Sequence, residues 1–141
     1  MARLTILFIC IGNSCRSPMA EAIARALGGH RVDARSAGLT PLGWVADQTF
    51  AVLEALGYPS HGLSSKGLDE VDTDDLDVVV SLLGDRGFDH IPRGIGARRE
   101  AWPIPDPFGE DEELYLEVAR QLELRIRRLL TDELEAELFP P

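Results

Sequence analysis

The feature that most constrains the fold is an apolar run near the N-terminus that leads into a short turn and a helix start. Residues 4–9 are almost all aliphatic or aromatic, which is typical of a strand buried on both faces of a parallel sheet. Ser17 and Pro18 then signal a helix, because serine caps free backbone N–H groups and proline fits the first helical position. The sequence therefore predicts a strand, a tight loop that begins at Cys10, and a helix over 18–27.

The loop between the predicted strand and helix is short enough to aim several backbone N–H groups at one point. A point of this kind, in front of a helix N-terminus, binds an oxyanion. Glycine and asparagine suit the turn because both adopt backbone angles that other residues avoid, and the arginine offers a planar fork of donors to two oxygens of a phosphate or an arsenate. The predicted oxyanion-binding residues are Ile11, Gly12, Asn13, Ser14, Cys15, Arg16 and Ser17.

Cys10 is the predicted nucleophile of this loop, with Arg16 as its catalytic partner. The field that holds an anion also stabilises a thiolate, and a thiolate is a nucleophile at neutral pH. A Walker-type phosphate loop is excluded, because no lysine follows a second glycine at the required place. The alternative is that Cys10 is a buried cysteine at a strand end and that Gly12 belongs to an ordinary turn.

The motif Cys-x5-Arg-Ser at an N-terminal strand end, continued by Pro18-Met19-Ala20-Glu21, resembles the low-molecular-weight protein tyrosine phosphatase superfamily. That superfamily includes a class of arsenate reductases. The resemblance extends to about Leu130 and implies a single-domain α/β fold, a four-stranded parallel sheet with helices on both faces. It assigns residues 1–130 to that domain and leaves 131–141 as an acidic C-terminal tail.

The rest of the chain predicts the same architecture, because strands alternate with helices and favour right-handed βαβ units. In such a sheet the ligand site lies at the carboxyl ends of the strands, where the Cys10 loop begins. Glycines and one proline predict a loop over 84–97, and 131–141 is an acidic tail or an extension of the last helix. Strands are predicted over 31–37, 76–83 and 99–104, and helices over 44–56, 68–75 and 111–130.

Charge and cysteine content limit the partners and the compartment. The net charge of −10 over 141 residues disfavours nucleic acid and anionic membranes as general partners, since both require a cationic face. The apolar runs are too short to span a membrane and no signal peptide is predicted, so we expect a cytoplasmic protein. Two cysteines, Cys10 and Cys15, lie five residues apart in one loop, which excludes a disulfide framework and a four-ligand zinc site. We predict no metal site and no bound cofactor.

Asp106 is the predicted general acid. Cleavage of a P–O ester bond requires a proton for the leaving oxygen, and a carboxyl group near the thiolate supplies it. Pro105 and Pro107 flank Asp106 and stiffen its backbone. The resemblance implies the same role, because superfamily members carry an Asp-Pro general acid in this region. The alternative is that Asp106 only caps the last helix.

The resemblance also implies a set of residues that support the loop. In potassium-binding arsenate reductases, an acidic side chain joins the equivalents of Asn13, Glu21 and Ser36 around the cation, and Lys66 stands at the place of that acidic residue here. We hypothesise that the ammonium group of Lys66 substitutes for the metal and steadies the Asn13 loop. The alternative is a solvated loop lysine.

The sequence leaves two reactions open. The segments over 79–85 and 99–107 resemble arsenate reductases, whereas Pro18, Phe108 and Tyr115 resemble the phosphatases. As an arsenate reductase, the protein would form an adduct between Cys10 and arsenate. As a phosphatase, it would hydrolyse phosphotyrosine or other phosphomonoesters through a cysteinyl-phosphate. A third alternative is a protein that binds an oxyanion without turnover.

The number and positions of the cysteines determine how arsenate reduction could be completed. Thioredoxin-coupled arsenate reductases carry two further cysteines after the third long strand, and here Leu83 stands at the first position and Asp89 or His90 near the second. Arsenate reduction would therefore require an external thiol, such as glutathione, mycothiol, bacillithiol or a thioredoxin-type or glutaredoxin-type protein, or a route through Cys15. The resemblance to the phosphatases implies that Cys15 protects Cys10 as a reversible disulfide; the alternative is a small residue that packs the loop.

Overall fold

The computed structural model describes residues 3–138 and contains a four-stranded parallel sheet of strand order β2-β1-β3-β4. The strands are β1 Leu4–Cys10, β2 Val32–Gly38, β3 Val78–Ser81 and β4 Arg98–Ala101. The α-helices are α1 Arg16–Gly28, α2 Asp47–Ala55 and α3 Glu112–Leu138, and short 3-10 helices lie at Gly29–Arg31, Leu68–Glu70 and Asp85–His90. The predicted single-domain α/β fold with four parallel strands is confirmed.

The two faces of the sheet are covered differently. Alternate residues of β1 point to opposite faces, so that Ile6 and Phe8 join a core with residues of α1, α2 and α3. Leu7 and Ile9 join a smaller core on the other face, under the two 3-10 helices that contain Leu68 and Phe88. Helical segments therefore cover both faces, but the three α-helices share one of them.

Several element bounds differ from the sequence predictions. Helix α2 starts at Asp47 rather than at 44, because residues 40–46 are tied to the Cys10 loop by backbone hydrogen bonds. The predicted helix over 68–75 is one 3-10 turn, Leu68–Glu70, in a segment where acidic side chains repel one another. The segment predicted as a loop over 84–97 contains the 3-10 helix Asp85–His90, which glycine-based reasoning missed.

Two strands are shorter than predicted, and the last helix is longer. β3 spans four residues, Val78–Ser81, and β4 ends at Ala101, shortly before Pro103, which has no N–H for a ladder. Residues 131–138 continue α3, which agrees with the alternative prediction that this segment extends the last helix. Residues 139–141 of the predicted tail lie outside the described residues. Across 3–138, the structure contains no helix that is both long and apolar enough to cross a membrane.

Candidate active site

The loop over 11–15 leaves the end of β1 and enters α1 at Arg16, with its carbonyl groups turned outward. The carbonyls of Ile11, Gly12 and Ser14 accept backbone hydrogen bonds from residues 40, 42 and 46 at 2.9, 3.0 and 3.1 Å. No peptide bond is cis among the described residues, and a trans peptide group places its C=O and the following N–H on opposite sides. The N–H groups that follow these carbonyls therefore point away from residues 40–46, into the turn, as an oxyanion cradle requires.

Cys10 lies at the base of this turn and contacts the hydroxyl of Ser17. Its Sγ is 2.9 Å from Ser17 Oγ, and Ser17 Oγ accepts a hydrogen bond of 2.7 Å from Asn13 Nδ2. Because that oxygen already serves as an acceptor, its own hydrogen is free to donate to the Cys10 sulfur. The Ser17 hydroxyl therefore lies within hydrogen-bond distance of the sulfur at the base of the turn.

Arg16 and Asp106 meet at the other side of the pocket. Arg16 is buried, donates to the carbonyl of Ile104 at 3.1 Å, and lies 3.7 Å from Asp106 Oδ2 through its second nitrogen. The other Asp106 oxygen accepts the backbone N–H of Phe108 at 3.1 Å, while the Asp106 side chain remains 54% exposed. Asp106 is thus held at the mouth of the pocket by the N–H of Phe108 on one oxygen and by Arg16 near the other.

The pocket has a volume of about 170 Å³ and contains most of the predicted site. Cys10, Ile11, Gly12, Ser14, Cys15, Arg16 and Asp106 line it, together with Leu42 and Phe108. Ser14 Oγ is buried and has no hydrogen-bond partner in the part of the chain that the structure describes. An oxyanion in the pocket would supply an acceptor for such a group. Asn13 and Ser17 do not line the pocket; their side chains bond to each other behind Cys10.

The predicted supporting residues form one connected network around a buried carboxylate. Asn13 Nδ2 also donates to Ser36 Oγ at 3.0 Å, and Ser36 Oγ donates to Glu21 Oε1 at 2.6 Å. Lys66 closes the network from two sides, because its backbone N–H donates to Asn13 Oδ1 at 2.8 Å and its Nζ lies 3.7 Å from Glu21 Oε1. Arg25 pairs with the second oxygen of Glu21, so the structure brings all four predicted residues together.

Gly38, at the end of β2, is a part of the site that sequence reasoning did not select. A Cβ atom at this position would lie 2.6 Å from the Ile11 carbonyl oxygen and 2.9 Å from the Asn13 nitrogen. Both are backbone atoms of the Cys10 loop, so only glycine fits. This close approach is visible only in three dimensions.

Cys15 lies on the side of the pocket that faces α3. Its Sγ is 3.3 Å from the hydroxyl of Tyr115. Burial raises the pKa of the Cys15 thiol above its usual range, and burial followed by the hydrogen bond with Cys15 raises the pKa of Tyr115. Cys15 is therefore a protonated thiol at neutral pH, unlike a cysteine poised to act as a nucleophile.

Apolar side chains surround the mouth of the pocket. Four large ones, Ile11, Leu42, Trp44 and Phe108, are roughly half exposed. Trp44 and Phe108 contact each other with ring centroids 5.8 Å apart. Trp44 was predicted to begin a helix, but the structure places it in the loop before α2, where it forms part of this rim.

Among the side chains that the structure describes, no three histidine, cysteine, aspartate or glutamate residues are grouped so as to hold a metal ion.

A family model described as low molecular weight phosphotyrosine protein phosphatase matches residues 5–138. The chain belongs to this family. Among its relatives, a glutaredoxin arsenate reductase from Synechocystis is 33% identical over 89% of this chain and 95% of that protein. A low molecular weight protein-tyrosine-phosphatase from Bacillus subtilis is 31% identical over 74% of this chain and 81% of that protein. Family membership confirms the resemblance that the Cys10 loop indicated.

Solved structures of the family share the fold over nearly the full length. An arsenate reductase described in the phosphate binding state aligns with a TM-score of 0.78 at 30% identity, and the alignment covers 94% of this chain and 98% of that chain. Both branches of the low molecular weight phosphatase family, reductases and phosphatases, are therefore represented among the similar proteins.

Proposed function

We propose that this protein is an arsenate reductase in which Cys10 attacks arsenate and an external thiol completes the reduction. The observation that carries the proposal is the meeting of Cys10, Arg16 and Asp106 in one pocket of about 170 Å³. The pocket is of a size for a tetrahedral oxyanion. Support comes from the relative named a glutaredoxin arsenate reductase, which shares a third of its residues over most of both chains.

The first step forms a bond between sulfur and arsenic. Arsenate binds to the loop N–H groups and to the guanidinium of Arg16, which together neutralise its negative charge. The Cys10 thiolate attacks arsenic, the S–As(V) bond forms, and one As–O bond breaks. Asp106, at the mouth of the pocket, acts as the general acid and donates a proton, so that the oxygen leaves as water.

The second step transfers the electrons. An external thiolate attacks Cys10 Sγ, an S–S bond forms, and the S–As bond breaks with its electron pair on arsenic, which leaves as arsenite. A second equivalent of thiol then releases Cys10 and yields a disulfide. If Cys15 attacked Cys10 instead, reduction of the resulting disulfide would still consume external thiol, because the chain has only two cysteines.

The proposed reductant is a free thiol, and free thiols are kept reduced in the cytoplasm. We therefore propose that the protein acts in the cytoplasm. Glutathione, mycothiol, bacillithiol and redoxin proteins of the glutaredoxin or thioredoxin type all supply the required chemistry. The name of the Synechocystis relative favours a glutaredoxin system.

A second candidate function is phosphomonoester hydrolysis, and the apolar rim favours it. Trp44 is 53% and Phe108 46% exposed beside the pocket, where they would pack against the aryl ring of a substrate whose phosphate lies in the loop. Cys10 would form a cysteinyl-phosphate, and water would then release phosphate.

Parallel assays of the purified full-length protein distinguish these functions. Arsenite formation is measured with arsenate and glutathione, with and without glutaredoxin, and hydrolysis is measured with aryl phosphates in the absence of thiols. We expect arsenite formation that stops when thiol is withheld. Absence of arsenite with every thiol tested, together with efficient aryl phosphate turnover, would replace the first function by the second.

We also propose that Lys66 takes the place of a potassium ion beside the catalytic loop. Its Nζ lies 3.7 Å from Glu21 Oε1, a buried carboxylate. We expect activity to stay constant when potassium replaces sodium at fixed ionic strength. We expect the Lys66→Gln protein to lose about 1 kcal/mol of stability and to bind phosphate more weakly, as measured by thermal unfolding with and without phosphate.

The control for this experiment is Arg93→Gln, which removes the same charge from an exposed residue outside the network and should leave both properties unchanged. A rise in wild-type activity with potassium would contradict the role of Lys66.

A further inference from the structure

A second cavity opens beside the active-site pocket and shares one residue with it. Its volume is about 580 Å³, against about 170 Å³ for the pocket that contains Cys10. Its apolar lining consists of Ile11, Leu39 and Leu83, and its polar lining includes Thr40, Arg86 and His90. We call this cavity, which is lined by these six residues and Gly87, the lateral groove.

The size of the lateral groove fits an organic molecule rather than an inorganic ion. Cavities that bind small organic ligands have volumes of roughly 300 to 1,000 Å³. The pocket at Cys10 is smaller than this range, and the lateral groove lies within it. The two compartments therefore differ in the ligands that they accept, one a tetrahedral oxyanion and the other a molecule of the size of a short peptide.

The charge of the lateral groove selects an anion. The chain carries a net charge of −10, yet the ionisable side chains among the described residues that line this groove are Arg86 and His90. Both are exposed residues of the 3-10 helix Asp85–His90. The acidic neighbours Asp85 and Asp89 do not line the groove. A carboxylate-bearing ligand is the complement of this lining.

The lateral groove is also joined directly to the catalytic loop. The backbone N–H of Leu39 donates to the Cys10 carbonyl at 3.0 Å, and that of Thr40 donates to the Ile11 carbonyl at 2.9 Å. Ile11, which follows Cys10 in the chain, lines both cavities, and its side chain is 50% exposed. The side chain of Ile11 therefore separates a ligand held at Arg86 from the active-site pocket.

We propose that the lateral groove binds a small anionic thiol, of the class of glutathione, as the reductant of Cys10. Its carboxylates contact Arg86 and His90, and its sulfur passes Ile11 to attack Cys10 Sγ of the arsenic adduct. The new S–S bond replaces the S–As bond, arsenic keeps the electron pair and leaves as arsenite, and a second thiol releases Cys10. This inference rests on the proposed reductase function and adds the site at which the reductant is recognised.

The kinetic test compares an anionic thiol with a neutral one. We expect Arg86→Glu combined with His90→Gln to lower kcat/KM for glutathione by about tenfold. The same variant should keep the wild-type rate with 2-mercaptoethanol and the wild-type KM for arsenate. Arg120→Glu, which makes the same arginine-to-glutamate charge reversal at an exposed position of α3, is the control and should behave as wild type. Equal losses with both thiols, or no loss, would overturn the inference.

A second measurement does not depend on arsenate chemistry. Wild-type and variant proteins are incubated with oxidised glutathione or with the neutral disulfide of 2-mercaptoethanol, and the mixed disulfide on Cys10 is quantified by mass spectrometry. We expect the variant to slow only the reaction with oxidised glutathione. Failure to form arsenite with any thiol would contradict the proposed function, whereas a glutathione reaction that is absent or insensitive to Arg86 and His90 would contradict the lateral groove.

Discussion

Replacement of Cys10 by serine is expected to abolish arsenite formation and aryl phosphate hydrolysis together, by about 10⁴-fold or more in kcat. Both reactions begin with attack by the same sulfur, and a serine hydroxyl is not ionised at neutral pH. The substitution changes one atom of a buried residue whose contact is the hydroxyl of Ser17. The loss therefore reports chemistry rather than unfolding.

Phosphate binding provides the check on the folded state of this variant. The Cys10→Ser protein retains the loop N–H groups and Arg16, so phosphate should still raise its unfolding temperature. The matched control is Cys15→Ser, which alters the other thiol of the loop. Because Cys15 is protonated and bonded to Tyr115, we expect that variant to keep most of both activities. Full activity in Cys10→Ser, or equal loss in both variants, would contradict the assignment of the nucleophile.

The Cys10 loop was predictable from sequence because the residues that form it are consecutive in the chain. Cys10, the turn and Arg16 lie within seven consecutive residues, and a strand before them and a helix after them fix their geometry. Asp106 is distant in sequence, and its role was indicated by the family resemblance rather than by spacing. The structure places its carboxylate 3.7 Å from Arg16. The two residues meet because the parallel strands β1 and β4, which precede them in the chain, end at the same edge of the sheet.

The parts that sequence reasoning missed depend on contacts between distant segments. Gly38 matters because a Cβ atom would meet the backbone of residues 11 and 13, and no local pattern records that approach. Arg86 and His90 lie in a segment that its glycines predicted to be irregular, so their position beside Ile11 was not visible.

Trp44 shows why an apolar pattern alone can mislead. Its spacing fits the helical period that continues in α2, yet it is half exposed at the mouth of the pocket and contacts Phe108. Periodicity detects which apolar residues recur on one face, but it does not separate residues that fill a core from residues that line a ligand site.

Replacement of Asp106 by asparagine is expected to lower kcat/KM by about 10²-fold to 10⁴-fold for substrates with a poor leaving group. The amide has nearly the same shape and keeps an oxygen for the N–H of Phe108, which now bonds to Asp106 Oδ1 at 3.1 Å. It has no proton to give to the leaving oxygen. Phenyl phosphate should therefore lose far more rate than 4-nitrophenyl phosphate, whose leaving group is stable without protonation, and arsenate reduction should fall as well because hydroxide is a poor leaving group.

The control removes the same charge from a neighbouring position. Glu110 is exposed and does not line the pocket, so Glu110→Gln should leave kcat/KM unchanged for both aryl phosphates. A loss in Asp106→Asn that is equal for the two leaving groups would show that Asp106 acts on binding through Arg16 and not as a proton donor. The dependence on the leaving group is the property that separates these roles, because an electrostatic effect of the Arg16–Asp106 pair acts on the phosphate, which the two esters share.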